Sequence, residues 1–264
     1  MKNRTLWVYV IGLAAVVAVI LYFRFGTEEK PPPAKEAAAS APAAQPSRLH
    51  PLAPPPEGFP PLPALNESDG LVQELLGKLL DRQKDLKLFI TENFIRRIVV
   101  TVDNLPKPRL PRKYLPVRSP RGKFLAREGT SQTFTIDQKN YRRYSPYVTL
   151  AEHFDTEKIV AFYTGLYPLF QEAYRELGYP DGYFNDRLIE VIDHLLKAPE
   201  VSEPVVLTKS VVGYTFEDPK LEALSSGQKI LLRIGASNAS VVRQKLGDIR
   251  NALTGQAPVA GATH

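Results

Sequence analysis

The sequence predicts a mainly α-helical, multi-helix globular domain with a minor β-hairpin or short strands, preceded by one transmembrane helix. Three observations predict it. Residues Leu6 to Phe23 read LWVYVIGLAAVVAVILYF, an apolar run without a charge. Twelve of the 24 prolines crowd between Pro31 and Pro63. Beyond that stretch, apolar residues recur at three- and four-residue intervals, the helical period, and strand-like patterns are short.

At 1.5 Å rise per residue, Leu6–Phe23 spans about 27 Å, close to the hydrocarbon thickness of a bilayer. Trp7, Tyr9 and Tyr22 sit near its ends, where amphipathic rings favour the interface. The run exceeds a secretory h-region, and Arg24-Phe25 follow where a small-residue cleavage site would be needed, so residues 1–24 are expected to form an uncleaved anchor. A short N-terminal arm ahead of a long remainder places the N-terminus in the cytoplasm and exports the C-terminal domain. Residues 25–66 read as a disordered Pro/Ala-rich tether, because proline removes backbone donors and fixes φ. Its reach lies between a coil of about 35 Å and a polyproline span of about 120 Å.

Residues 67–254 hold the globular domain, and 255–264 a flexible tail. Ser68 and Asp69 are candidate caps for a helix with Leu71, Leu75, Leu76 and Leu79 on its apolar face. A second helix is expected over residues 83–100, with Leu86, Phe89, Ile90, Phe94 and Ile98 aligned; the β-branched run Ile98–Val102 extends it or turns to strand, and Pro106 ends either. Pro108, Pro111, Pro116 and Pro120 make the next segment a loop, and residues 123–136 suggest a hairpin around Gly129. Asp155 is an N-cap, with Phe154 and Ile159 at hydrophobic-staple positions, for a helix over residues 156–177 that Pro168 must kink or split. Asn185 is assigned the same capping role for the next helix, which Pro199 closes. Residues 205–216 suggest one or two strands, and 221–234 and 239–253 two helices separated by Gly235.

Composition narrows function. The chain has no cysteine, which excludes disulfides and thiolate metal sites. Between Lys107 and Arg143 there are eleven Lys and Arg against two acids, an excess of nine in a chain of formal net charge +6. Such a segment suits an anionic surface, although charge runs are more commonly just solvated loops. Arg109, Arg112, Lys113, Arg118, Arg121, Arg142 and Arg143 are therefore binding candidates, with Tyr144, Tyr183 and Asn185 added because eight of twelve tyrosines fall between Tyr141 and Tyr183. Asp186, Glu190 and His194 share a helix face at i, i+4, i+8 and are the only catalytic candidates, although the pattern is not HExxH and an exposed charged face explains it as well. Ser226-Gly227-Gln228-Lys229 imitates the end of a phosphate loop, but Ala223 stands where the earlier glycine is required. Ser225 is better explained as a helix cap. No cofactor and no metal is expected.

Four blocks carry a family likeness: FIRRIVVTVDNLP (94–106), NYRRYSPYV (140–148), LYPLFQEAYRELGYPDGYFNDRLIEVIDHLL (166–196) and LEALSSGQKILLRIG (221–235). They resemble a bacterial family known as domain of unknown function 3014. The resemblance implies a membrane-anchored envelope protein and supplies no activity, cofactor or catalytic residue. The expected function is non-enzymatic binding or scaffolding in the bacterial cell envelope, from a single-pass inner-membrane protein with a periplasmic domain. An anionic envelope polymer or an envelope protein is the expected partner, and nucleic acid is not. The alternatives are an envelope glycan or peptidoglycan hydrolase using Asp186, Glu190 and His194, and a cytoplasm-facing protein that binds the anionic membrane surface.

Overall fold

A computed structural model describes residues 48–255, apart from 81, 130–132 and 211–212. The expected anchor Leu6–Phe23, the first part of the tether and the tail beyond 255 lie outside the described residues. Among the described residues no helix is long and apolar enough to cross a membrane.

The domain is mainly helical with a small antiparallel sheet. Ten helices are described: α1 (Asp69–Leu79), α2 (Phe94–Asn104), α3 (Gln138–Arg142), α4 (Ser145–His153), α5 (Thr156–Gly165), α6 (Tyr167–Glu176), α7 (Phe184–Leu196), α8 (Pro219–Glu222), α9 (Ser226–Arg233) and α10 (Ala236–Thr254). Strands β1 (Ala126–Glu128), β2 (Phe134–Ile136), β3 (Val206–Ser210) and β4 (Gly213–Phe216) pair in sequence order, all antiparallel. The expected hairpin is β1–β2, with Ala126 opposite Ile136. The alternating run at 205–216 gives β3–β4, with Leu207 opposite Phe216.

Two apolar clusters result. The larger joins α1, α2, α5, α6, α7, α9 and α10 around Phe170, Phe184, Leu166, Ile95 and Val99. Phe170 and Phe184 stack in parallel at 5.9 Å. The smaller lies under the sheet, where Ile136, Leu207 and Phe216 meet Leu232 of α9.

Local signals act where expected. The Asp155 carboxylate accepts the amides of Glu157 and Lys158. Pro168 takes the first turn of α6, its missing N–H costing nothing there, and the chain breaks at Leu166 into two helices. Ser225 and Gln228 form a reciprocal capping box on α9.

Four elements differ from the sequence reading. Neither Ser68 nor Asp69 caps α1 with its side chain: the Ser68 hydroxyl donates to Leu65 O, and Asp69 serves the start of α2 instead. The expected helix over 83–100 is a short 3-10 turn, Gln83–Leu88, then extended chain, then α2. Phe89 bridges to Val117 and the Ile90 amide bonds Pro116 O, while the Asp69 carboxylate accepts the amides of Asn93 and Phe94 and so fixes the start of α2. Asn93 adopts φ +51, a left-handed conformation that ends one segment and begins the next. The expected helix over 221–234 is interrupted at the Ser225 cap, giving α8 and α9. Asn185 is not an N-cap: α7 begins at Phe184 without a side-chain cap, and Asn185 is wholly buried.

The proline-rich residues 48–67 that are described lie against the helices. Leu52, Phe59 and Leu62 pack on the main core, and Leu65 is buried in it. Gly165 makes room for Phe59: a Cβ there would come within 2.1 Å of the ring.

Candidate functional site

Helices α5 and α6 and the first turn of α7 bring a set of polar side chains together under residues 48–52. Tyr163 donates to Asn185 Oδ1 at 3.2 Å, and Asn185 Nδ2 donates to His50 O at 2.8 Å. Tyr167 donates to Gln171 Oε1 at 2.8 Å, and Gln171 Nε2 donates to Gly182 O at 2.7 Å. The same Gln171 oxygen accepts the Phe184 amide, which satisfies one of the free donors at the start of α7. Asp186 accepts the amides of Leu49 (3.1 Å) and His50 (2.8 Å), with the His50 ring Nδ1 3.3 Å away. Tyr183 OH accepts the Leu52 amide at 3.1 Å, and the Arg48 guanidinium lies 5.0 Å from the Tyr183 ring centre. Burial pushes the phenol pKa of Tyr163 well above its ordinary value, and neighbouring Tyr167, Tyr183 and Asp186 add to the shift. Burial raises Tyr167 too. Both phenols therefore serve as neutral hydrogen-bond donors. A cavity of about 250 Å³ adjoins, lined in part by Arg48, Gln171, Arg175, Asp181 and Tyr183.

The three catalytic candidates go to three different sets of partners. Asp186 holds the backbone of residues 49 and 50. Glu190, two-thirds exposed, pairs with Arg187 at 2.9 Å. His194 Nε2 lies 2.9 Å from Ser225 Oγ, beside the α9 cap. Among the described residues no group of three or more His, Cys, Asp or Glu is placed to hold a metal ion.

The basic candidates divide by use. The chain from 113 to 122 is bound to the domain through its carbonyls: Arg97 donates to Lys113 O and Leu115 O, Thr101 to Tyr114 O, and Tyr147 to Arg118 O. Arg143 spans the carbonyls of Pro120, Arg121 and Gly122 and also Asn140 Oδ1, so its donors are turned inward. Arg118 Nε donates to Lys87 O. Tyr144 is half-buried against the main core. Lys113 and Arg121 on this fixed strip, and Arg109 and Arg112 just before it, remain exposed. Arg142 is also exposed and lines a separate cavity of about 550 Å³ with Arg127, Lys139, Tyr141 and Glu203. Burial, then the Glu203 carboxylate, pushes the Tyr141 phenol up to about 12.

Sequence reasoning overlooked Gln171, His50 and Asp103. A signal existed for two of them. Gln171 falls at i+4 from Tyr167 and i−3 from Tyr174, inside the apolar stripe of its helix. Asp103 occupies the buried stripe of α2 with Ile95, Val99 and Val102, and there it meets Lys107 (2.7 Å), Arg187 (3.2 Å) and the Tyr179 hydroxyl (3.2 Å). A polar residue on an apolar face signals an internal partner. His50 had no such signal, since its partner Asp186 is 136 positions away.

The fold defines a mainly helical domain carrying a four-stranded antiparallel sheet at its side. The chain belongs to the family described as "Protein of unknown function (DUF3014)", whose model matches residues 94–250, more than half of the sequence. No curated protein and no solved structure matches it.

Proposed function

We propose that this protein is a non-enzymatic binding or scaffold module of the bacterial cell envelope, held at the inner membrane by Leu6–Phe23 with its domain in the periplasm. Its basic strip engages an anionic envelope polymer or an acidic envelope protein. The observation that carries this reading is the fixed backbone of residues 113–122. Arg97 and Thr101 of α2, Arg143 just after α3 and Tyr147 of α4 hold its carbonyls, so Lys113 and Arg121, with Arg112 next to them, project from a frame ordered before any partner arrives. Preorganised charge loses less entropy on binding than a floppy basic loop. The apolar run, whose length matches a bilayer, supports the location.

The full chain is tested for binding to dextran sulfate, a soluble anionic polymer, across a salt series. Arg109, Arg112, Lys113 and Arg121 are replaced together by Gln, leaving Arg118 and Arg143 in place. Binding is expected to weaken at least tenfold, with a shallower dependence on salt. Unchanged affinity overturns the role of the strip. A reporter active only after export, fused after Leu253, is expected to be active; a silent reporter with intact protein overturns the periplasmic placement.

A further inference from the structure

The residues at the start of α7 treat the chain segment 48–52 as a binding site treats a peptide. In four consecutive residues, 49 to 52, every backbone N–H finds a side-chain acceptor. Asp186 takes Leu49 and His50, and Tyr183 OH takes Leu52. The position between them is Pro51, which has no N–H to satisfy. Asn185 Nδ2 takes the carbonyl of His50. None of these bonds belongs to a helix or a sheet ladder, which is how a chain ordinarily pairs its own backbone. All of them come from side chains reading the main chain.

The segment gives little of its own apolar surface in return. Leu49 is 73% exposed, and Arg48 and Pro51 also face solvent, while Leu52 packs on the core. A strand of the core is held by burial, whereas residues 49–51 are held by polar contacts. The groove, by contrast, is built firmly. Asn185 is wholly buried, Tyr163 is 8% exposed beneath it, and Gln171 locks Tyr167 and the first amide of α7. Next to it, the cavity of about 250 Å³ beside Gln171, Arg175 and Asp181 leaves room for a longer ligand. The family match takes in every groove residue, from Tyr163 to Asp186, and stops short of the segment, since it begins at residue 94.

From this geometry we infer that Tyr183, Asn185 and Asp186, braced by Tyr163, Tyr167 and Gln171, form a peptide-binding groove, and that residues 48–52 are its resident ligand in cis. The ligand class is an extended segment with two successive free amides, then proline, then an apolar residue, as in Arg48-Leu49-His50-Pro51-Leu52. Aromatic grooves suit such segments because a proline-rich chain is already extended before it binds. A ligand tethered in cis acts at an effective concentration on the order of millimolar. With an intrinsic Kd of about 100 µM, the tethered segment therefore raises the apparent Kd of a competing peptide roughly tenfold.

The test uses the full chain with a site-specific protease sequence inserted between Glu57 and Gly58, both exposed. The probe is a fluorescein-labelled synthetic peptide of residues 48–57, followed by fluorescence anisotropy. The uncut chain is expected to bind it at least tenfold more weakly than the cut chain. Excess unlabelled peptide is expected to displace the cleaved N-terminal fragment from the cut chain in gel filtration. Asp186→Ala in the cut chain is expected to weaken the probe at least tenfold. Methylating the probe's amides at the Leu49 and His50 positions does the same without altering the protein, and this arm decides if Asp186→Ala fails to fold. A cut chain that does not bind the probe, equal binding before and after cutting, or a methylated peptide that binds like the parent each overturns the groove.

Discussion

Replacing Asn185 with Ala probes the junction of α5, α7 and the segment at residue 50. Asn185 is wholly buried and joins two partners, accepting from Tyr163 OH and donating to His50 O. Truncation leaves the Tyr163 hydroxyl, itself 8% exposed, without an acceptor, and a buried unsatisfied group costs about 1–3 kcal/mol. The His50 carbonyl belongs to a half-buried residue that water reaches more readily, so it contributes nearer the lower end of that range. Together with the small void, Asn185→Ala is expected to lose about 2–4 kcal/mol, a large part of the 5–15 kcal/mol typical of a domain. Urea unfolding followed by far-UV circular dichroism measures it, with the slope m unchanged. Tyr163→Phe is expected to cost less alone, and to be near neutral or stabilising when added to Asn185→Ala, because no orphaned hydroxyl then remains. That cycle predicts a coupling of about 1 kcal/mol or more. A loss under about 1 kcal/mol for Asn185→Ala, or strictly additive effects, would refute the argument that these groups satisfy one another.

Two further outcomes follow from ion pairs on other faces. Asp103, 3% exposed, holds Arg187 and Lys107, so Asp103→Asn places an amide donor against cations and is expected to cost about 2–3 kcal/mol. The figure is set below that for a wholly buried pair because Lys107 is half-exposed and Arg187 keeps Glu190; thermal unfolding checks it, and a variant as stable as the parent would sink the reading. Burial alone would raise the Glu222 pKa, but the Phe216 amide and the Lys229 ammonium outweigh it and hold the carboxyl below its ordinary 4.5. A depressed carboxyl contributes stability that is fully present above that ordinary value and is lost as pH falls through the lower, folded-state value. The stability difference between the parent and Glu222→Gln is therefore expected to shrink as pH drops below about 4.5, and a gap independent of pH in acid unfolding titrations contradicts the assignment.

Much of the secondary structure was legible because its causes act within one turn. Asp155, Pro168 and the Ser225–Gln228 pair each settle a helix boundary through neighbours three or four residues away. The helical period of α5, α6 and α7 marked the residues that became the main core. Where local periodicity met a distant competitor, it lost. The stretch from 83 to 93 has helical spacing, yet its chain pairs with residues 116–118 and ends at the Asp69 carboxylate. Asn185 has the right residue type and place for a cap, but a wholly buried amide needs partners on both sides, and it found them at Tyr163 and His50.

The sequence by itself determined a mainly helical domain with a hairpin and short strands, the caps at Asp155 and Ser225, the break at Pro168, the excess of positive charge between Lys107 and Arg143, and the family. These follow from composition and from interactions whose partners lie within a few residues. Only the tertiary structure decided which charges are available and which are used to hold the fold. It turned Arg143 inward on three carbonyls and left Arg112, Lys113 and Arg121 facing water. It also set Asp186 against the backbone of residues 49 and 50. The physical reason is that a hydrogen bond is specified by where two groups meet, and for partners more than a hundred residues apart only packing of the intervening helices brings them to bonding distance.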